Sequence, residues 1–236
     1  MRQWTTENGL LVHRLLGPGC NVYLVSGHSG CLMVDSSYTF AGKKLLQRAE
    51  MVCVGKQLQA LVLTHTHFDH AGNAALLKKH FQLSVVVHEE EALYLKRGIS
   101  PLPRGTQLYN KAIMNTIRRF NTPFQHFKAV RGDILINDRY DFFGYDLNAY
   151  AIHTPGHTKG SISVVVDNTI ALVGDTLVGY VLGHNYPAFA DLPDQFAASW
   201  ARLLDTGCTT FLPTHGRAVS REELQVLLEK HQRELK

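Results

Sequence analysis

The 236-residue sequence predicts an α/β chain in which two β-sheets pack together with helices on the outside. Two observations carry that reading. Short apolar runs of strand length come in clusters, in two halves of similar flavour, and segments of helical spacing are interspersed among them. A third observation gives the sheets a chemistry, because residues of metal-ligand type follow directly on several of these runs.

In chain order, Asn21–Ser26 and Cys31–Val34 read as paired strands around the turn Gly27-His28-Ser29-Gly30. Ala41–Val52 has helical spacing. Ala60–Leu63 is a short apolar run and reads as a buried strand. Ala71–Phe81 follows as a helix, Ser84–Val87 as a strand and Glu89–Lys96 as a short helix. The pattern weakens from Arg97 to Lys128, where Pro101, Pro103, Gly105 and Pro123 interrupt it and residues 107–120 have the spacing of one helix. That segment, 97–128, is the candidate for a cap inserted over a site. Strands return at Ile134–Ile136, Leu147–His153, Ser161–Val166 and Ile170–Val173. Asp194–Leu204 reads as a helix and Thr209–Leu212 as a strand. Ser220–Leu235 is a closing helix that Ser220 and Glu223 open as a capping box. No linker or low-complexity tract divides the chain, so residues 1–236 read as one domain.

Composition narrows the function classes. Hydrophobic residues at 45% and charged residues at 19% are ordinary for a chain that buries a core. The formal charge of +4 comes from scattered basic pairs such as Lys43-Lys44 and Arg118-Arg119, which read as solvated surface and not as a nucleic-acid stripe. Cys20, Cys31, Cys53 and Cys208 form no CxxC pair, and buried free thiols in a reducing cytosol are expected. The N-terminal stretch lacks the apolar run of a signal peptide, and no stretch reaches the ~18 apolar residues of a membrane span. A cytoplasmic protein with no membrane partner is therefore the expectation. Nothing in the sequence sets an oligomeric state.

The chemistry concentrates in Thr64-His65-Thr66-His67-Phe68-Asp69-His70. Histidines two apart project to the same side of an extended chain, so His65 and His67 can grip one cation. Asp69 and His70 come where the chain turns and can face a second cation beside the first. Three later positions match them in type. His157 lies in the turn Thr154-Pro155-Gly156-His157, Asp175 follows Leu172-Val173-Gly174, and His215 lies in Pro213-Thr214-His215-Gly216. Each stands where a strand exits into a loop. Imidazole and carboxylate suit zinc and also hold iron or manganese. Seven candidate ligands exceed one tetrahedral ion and match two divalent ions, with zinc the first choice. Asp175, with two oxygens, is the natural bridge. A hydroxide held between two such ions is a nucleophile at neutral pH. The ions' charge would favour an anionic small-molecule substrate.

Taken in order, His65-Thr66-His67-Phe68-Asp69-His70, His157, Asp175 and His215 resemble the signature of the metallo-β-lactamase superfamily, over residues 20–216. The resemblance implies an αββα four-layer sandwich of two mixed β-sheets with a dinuclear site at one edge. It implies that His65, His67 and His157 hold the first ion. Asp69, His70 and His215 would hold the second, Asp175 would bridge, and Asp69 would also orient the nucleophile or accept its proton. Asp35, in Met33-Val34-Asp35-Ser36, resembles a strand-ending aspartate that supports a ligand histidine, and it also reads as a plain turn residue. Tyr180 and His184 follow Asp175 in a loop that should border the site, and are candidate donors to a developing oxyanion. His88 and His153 read as structural, and Lys159 as a surface residue.

Within that family, Asp175 stands where class B1 and B2 β-lactamases use cysteine, and His67 stands where flavodiiron reductases use glutamate. The chain ends soon after His215, without the helical domain of typical glyoxalase II. The expected function is a metal-dependent hydrolase attacking a small-molecule ester, thioester or lactone. The alternatives are a phosphodiesterase or nuclease of the same fold, a mononuclear iron enzyme resembling the persulfide dioxygenases, and a non-catalytic metal-stabilised binding module.

Overall fold

A computed structural model describes residues 1–17, 19–101, 125–179 and 187–234. The first sheet runs in the order β1 (Arg2–Thr5), β2 (Leu11–Leu16), β3 (Val22–Ser26), β4 (Gly30–Val34), β5 (Gln57–Val62), β6 (Ser84–His88), β7 (Ile134–Ile136). It is antiparallel from β1 to β4 and parallel from β4 to β7. The second sheet contains β8 (Arg139–Asp141), β9 (Ala149–His153), β10 (Ile162–Val166), β11 (Ile170–Gly174), β12 (Thr210–Pro213) and β13 (Val219–Ser220). Its one parallel pair is β11 with β12.

The period-2 alternation of side chains assigns the layers. Val25, Leu32, Val34, Ala60, Val62 and Val86 face Ala151, Ile162, Val164, Val166, Leu172 and Leu212 in a core between the sheets. Their neighbours Leu24, Cys31, Met33, Leu61, Val85 and Val87 point the other way. They pack with Leu45, Ala49, Leu77 and Leu95 from helices α1 (Gly42–Val52), α3 (Ala74–Phe81) and α4 (Glu89–Arg97). On the far side Val165, Ala171, Val173 and Phe211 pack with Phe196, Trp200, Leu203 and Leu224 from α5 (Phe196–Asp205) and α6 (Arg221–Glu234). A strand buried on both faces reads as a continuous apolar run, which is why β5, β6 and β10 are plain in the sequence. The result is the four-layer αββα sandwich.

The structure corrects several boundaries. The helix expected over Ala71–Phe81 is two pieces, α2 (Phe68–Ala71) and α3, broken at Gly72-Asn73. The backbone leaves helical geometry at Asn73 (φ −112°, ψ 13°), and glycine is required at 72 because a Cβ there would stand 2.4 Å from the Ser37 carbonyl oxygen. Strands β1, β2, β8 and β13 are not among the strands expected from the sequence. The Ser220–Glu223 box is formed reciprocally, with the Ser220 N–H donating to Glu223 Oε2 at 2.9 Å and the Glu223 N–H donating to Ser220 Oγ at 3.3 Å. All four cysteines are buried and free. No helix among the described residues is long and apolar enough to cross a membrane. Of the 97–128 cap, residues 102–124 lie outside the described residues; Ile99 bridges His126 just beyond α4.

Candidate metal centre

The seven candidate ligands come together at one end of the sandwich, where β5, β9, β11 and β12 run out into loops. Backbone bonds between the sheets close this end. The Ile162 N–H donates to the Thr64 carbonyl at 2.9 Å, and the Asn21 N–H to the Thr214 carbonyl at 2.7 Å.

Along Thr64–His70 the chain alternates. His65 and His67 turn into the cluster, and the residues between them turn back to anchors. The Thr64 N–H donates to Asp35 Oδ1 at 2.8 Å, the Thr66 N–H to Glu91 Oε2 at 2.9 Å, and the Phe68 N–H to Ser100 Oγ at 3.1 Å. His67 then starts α2 as its N-cap, and the short helix places Asp69 and His70 on the other side of the cluster. The Ser36 hydroxyl and N–H both donate to the His70 carbonyl, at 2.6 and 2.7 Å. Asn73 Nδ2 donates to the carbonyls of Ser36 and Tyr38, 2.7 Å each, and so holds the loop beneath.

Two ligand groups emerge, and Asp175 joins them in a third with His65 and His70. His65 Nε2 and His157 Nε2 lie 2.9 and 3.0 Å from His67 Nδ1, a convergence of three ring nitrogens. Asp69, His70 and His215 form a second group, with His215 Nε2 at 3.2 Å and His70 Nε2 at 3.8 Å from Asp69 Oδ2. Asp175 lies between. Its Oδ2 is 3.5 Å from both His157 Nε2 and His215 Nε2, and its Oδ1 is 3.5 Å from His70 Nε2. His70 Nε2 and Asp175 Oδ1 are buried without a good hydrogen-bond partner. Bare buried nitrogen and carboxylate atoms are costly unless something binds them. The donor set therefore fits metal ions.

The opposite ring edges fix which nitrogen faces the cluster. His70 Nδ1–H donates to Asp35 Oδ2 at 2.8 Å, His157 Nδ1–H to the Phe189 carbonyl at 2.8 Å, and His215 Nδ1–H to the Gly19 carbonyl. His65 Nδ1–H donates to Thr64 Oγ1 at 3.2 Å, which in turn donates to Asp35. Such support sets tautomer and orientation in metal-ligating histidines. Asp35 is the hub, accepting also from Thr214 Oγ1 at 3.0 Å, and it sits at φ +63° with 1% exposure.

Gly174 supplies the turn that delivers Asp175. Its φ is +54°, and a Cβ there would stand 2.6 Å from Thr64 Oγ1. Gly174→Ala is expected to destabilise the chain by ~2 kcal/mol through backbone strain and that clash. An unchanged urea midpoint would contradict this.

Electrostatics divide the set. Burial, then the neighbouring His70, His67 and His157, hold His65 well below the usual histidine range. Burial, then His157, pushes His67 down to about 3. Burial also works against a proton on His70, but Asp35, Asp175 and Asp69 together raise it well above the ordinary value. For His215 burial is outweighed by Asp175 and Asp69, and it rises to about 9. Burial opposes ionisation of Asp175, yet His215, His70 and His157 hold its carboxyl well below the usual range. On those shifts His70 and His215 are expected to keep protons at pH 7 in the metal-free chain, and a metal takes only neutral imidazole. Each proton must leave first. Metal affinity should therefore rise with pH until His215 loses its proton near 9, and binding at pH 7 should release protons. Calorimetry in two buffers of different ionisation enthalpy reads the number released; a value of zero would contradict the assignment.

The other sequence candidates fall out as follows. His88 caps α4, accepting from the Glu90 N–H at 3.2 Å, and stacks on His153 at 4.2 Å between ring centroids, so both are structural. Lys159 is exposed. Tyr180 and His184 lie outside the described residues. Sequence reasoning missed Glu91 and Asn73, whose partners become visible only in the fold.

Comparison with known proteins agrees with the geometry. A probable metallo-hydrolase of Methanocaldococcus jannaschii is 25% identical over 169 residues, 71% of each chain. Hydroxyacylglutathione hydrolase GloC of Haemophilus influenzae is 30% identical over 136 residues, 57% of this chain and 56% of that one. A Cronobacter sakazakii metallo-beta-lactamase of solved structure shares the fold, with a TM-score of 0.68 at 18% identity over 100% of this chain and 93% of its own. The sequence profile of the Metallo-beta-lactamase superfamily matches residues 16–220. A match that runs through both sheets, and not only the histidine run, makes this chain a member of the metallo-beta-lactamase superfamily.

Proposed function

We propose that the chain is a hydrolase of small-molecule esters, thioesters or lactones that works with two divalent metal ions. The observation that carries this reading is the pair of ligand groups flanking Asp175, with the His70, His157 and His215 rings turned toward them by hydrogen bonds on their far edges. His65, His67 and His157 would hold one ion. Asp69, His70 and His215 would hold the other, and Asp175 would touch both. Zinc fits the donors first; iron and manganese fit them also. Bound there, the ions would activate water near neutral pH and polarise the scissile carbonyl.

The residues define the rest. His65 and His70 are fully buried, whereas the side chains of His215, Asp69 and Asp175 keep 17, 12 and 11% exposure. Substrate and water therefore reach the cluster from the His215–Asp69 side. Asp69, at that opening, would orient the nucleophile, or accept its proton and pass it on to the leaving oxygen or sulfur. The acyl class is favoured by the Haemophilus relative, which is named as a hydrolase of hydroxyacylglutathione. The test is a panel of para-nitrophenyl esters, an acyl thioester, a lactone and bis-para-nitrophenyl phosphate on metal-loaded protein. Acyl turnover should exceed phosphodiester turnover. Turnover confined to the phosphodiester, or oxygen uptake on a persulfide with one iron per chain, would replace this reading.

A further inference from the structure

Glu91 stands in the run Glu89-Glu90-Glu91 at the start of α4, a composition that reads as a solvated helix end. The fold sets it apart. Its residue exposure is 2%, and its carboxylate turns inward behind the histidine loop. Oε2 accepts both the N–H of Thr66, at 2.9 Å, and the Thr66 hydroxyl. Thr66 is itself fully buried and lies between His65 and His67. The second histidine loop also closes against Glu91, because a Cβ at Gly160, three residues after His157, would stand 2.5 Å from Glu91 Cγ. A buried carboxylate needs strong partners, and two donors from one residue make it a rigid clamp.

We propose that Glu91 is a positioning residue for the metal centre: its carboxylate pins Thr66 from behind and so fixes the spacing and direction of the His65 and His67 rings. The inference rests on reading the cluster as a metal centre. Its logic is geometric. A ligand pair two residues apart can converge only if the intervening peptide is held still. His65 Nε2 and His67 Nδ1 meet at 2.9 Å, and the described contacts that hold the peptide between them are those to Glu91. Glu91 touches no candidate ligand directly, so it acts through Thr66.

The test compares the full chain with Glu91→Gln, Glu91→Ala and Thr66→Val, and with Leu77→Ala as a remote destabilised control. Zinc affinity is read by chelator competition, and exchange of the Thr66 amide is read in the metal-free protein. Glu91→Ala is expected to weaken zinc binding about 10–100-fold, as loss of a ligand's supporting partner does elsewhere. Glu91→Gln, which keeps an acceptor oxygen, should fall between it and the parent. Thr66 amide protection should drop in both. The double variant Glu91→Ala/Thr66→Val should lose less than the sum of the singles, because the two act on one contact. Leu77→Ala should unfold more easily yet keep parental affinity. Parental zinc affinity in a folded Glu91→Ala or Glu91→Gln protein, or an equal affinity loss in Leu77→Ala, would overturn the proposal. If the parent chain itself bound no metal, the hydrolase reading would fail instead. Unchanged Thr66 exchange in Glu91→Gln would then still overturn the clamp.

Discussion

Asp175→Ala is expected to remove both hydrolysis and metal, with His67→Ala close behind. Asp175 is the carboxylate that faces His70, His157 and His215 together, at 3.5 Å from each. Without it, the two ligand groups lose the anion that joins them, and His70 and His215 lose a main counter-charge. The expected fall in kcat/KM is at least about 1000-fold, on the order of 4 kcal/mol of barrier. Metal content after dialysis should fall in parallel. His67→Ala takes away the nitrogen on which His65 and His157 converge. Turnover retained in metal-free Asp175→Ala protein would defeat the account.

The second large effect is structural. Asp35→Ala strands the donors of Thr64 N–H, Thr64 Oγ1, His70 Nδ1 and Thr214 Oγ1 in a buried position. Removing one partner of a buried charged network costs ~3–5 kcal/mol. The φ of +63° adds to this, because aspartate tolerates that conformation better than alanine. Asp35→Ala should therefore unfold at much lower denaturant. Asp35→Asn keeps one acceptor oxygen but sets an amide donor against part of the same network. It should lose less stability and still weaken metal binding about 10–100-fold. Equal denaturation midpoints for Asp35→Ala and the parent would contradict the role of Asp35 as hub.

Much of the site was legible because ligand chemistry and local geometry coincide. His65 and His67 obey the period of an extended chain, and His157, Asp175 and His215 each follow an apolar run. Periodicity thus marks both the strand and the loop that ends it. The central strands were legible for the same reason. Edge strands were not: Arg2–Thr5 and Arg139–Asp141 are largely polar and half-exposed, and Val219–Ser220 is too short to have a period. Among the supporting residues Asp35 was foreseen only through the family resemblance, and long sequence separation hid Glu91. Asp35 contacts His70 across 35 positions, and Glu91 contacts Thr66 across 25. Glu91 has the same local sequence as its exposed neighbours Glu89 and Glu90, and only the burial of one face of α4 against the histidine loop distinguishes it. The break at Asn73 is likewise tied to tertiary contacts, the bonds of its side-chain amide to the Ser36 and Tyr38 carbonyls.

The most direct measurement is the metal stoichiometry of the purified chain, followed by stepwise zinc addition to chelator-stripped protein with ester turnover recorded at each step. Two ions per chain, with turnover appearing as they bind, is the result expected. A stripped protein that hydrolyses the ester as fast as the loaded one, or a chain that takes up no divalent ion at any pH between 7 and the about 9 at which His215 deprotonates, would contradict the account.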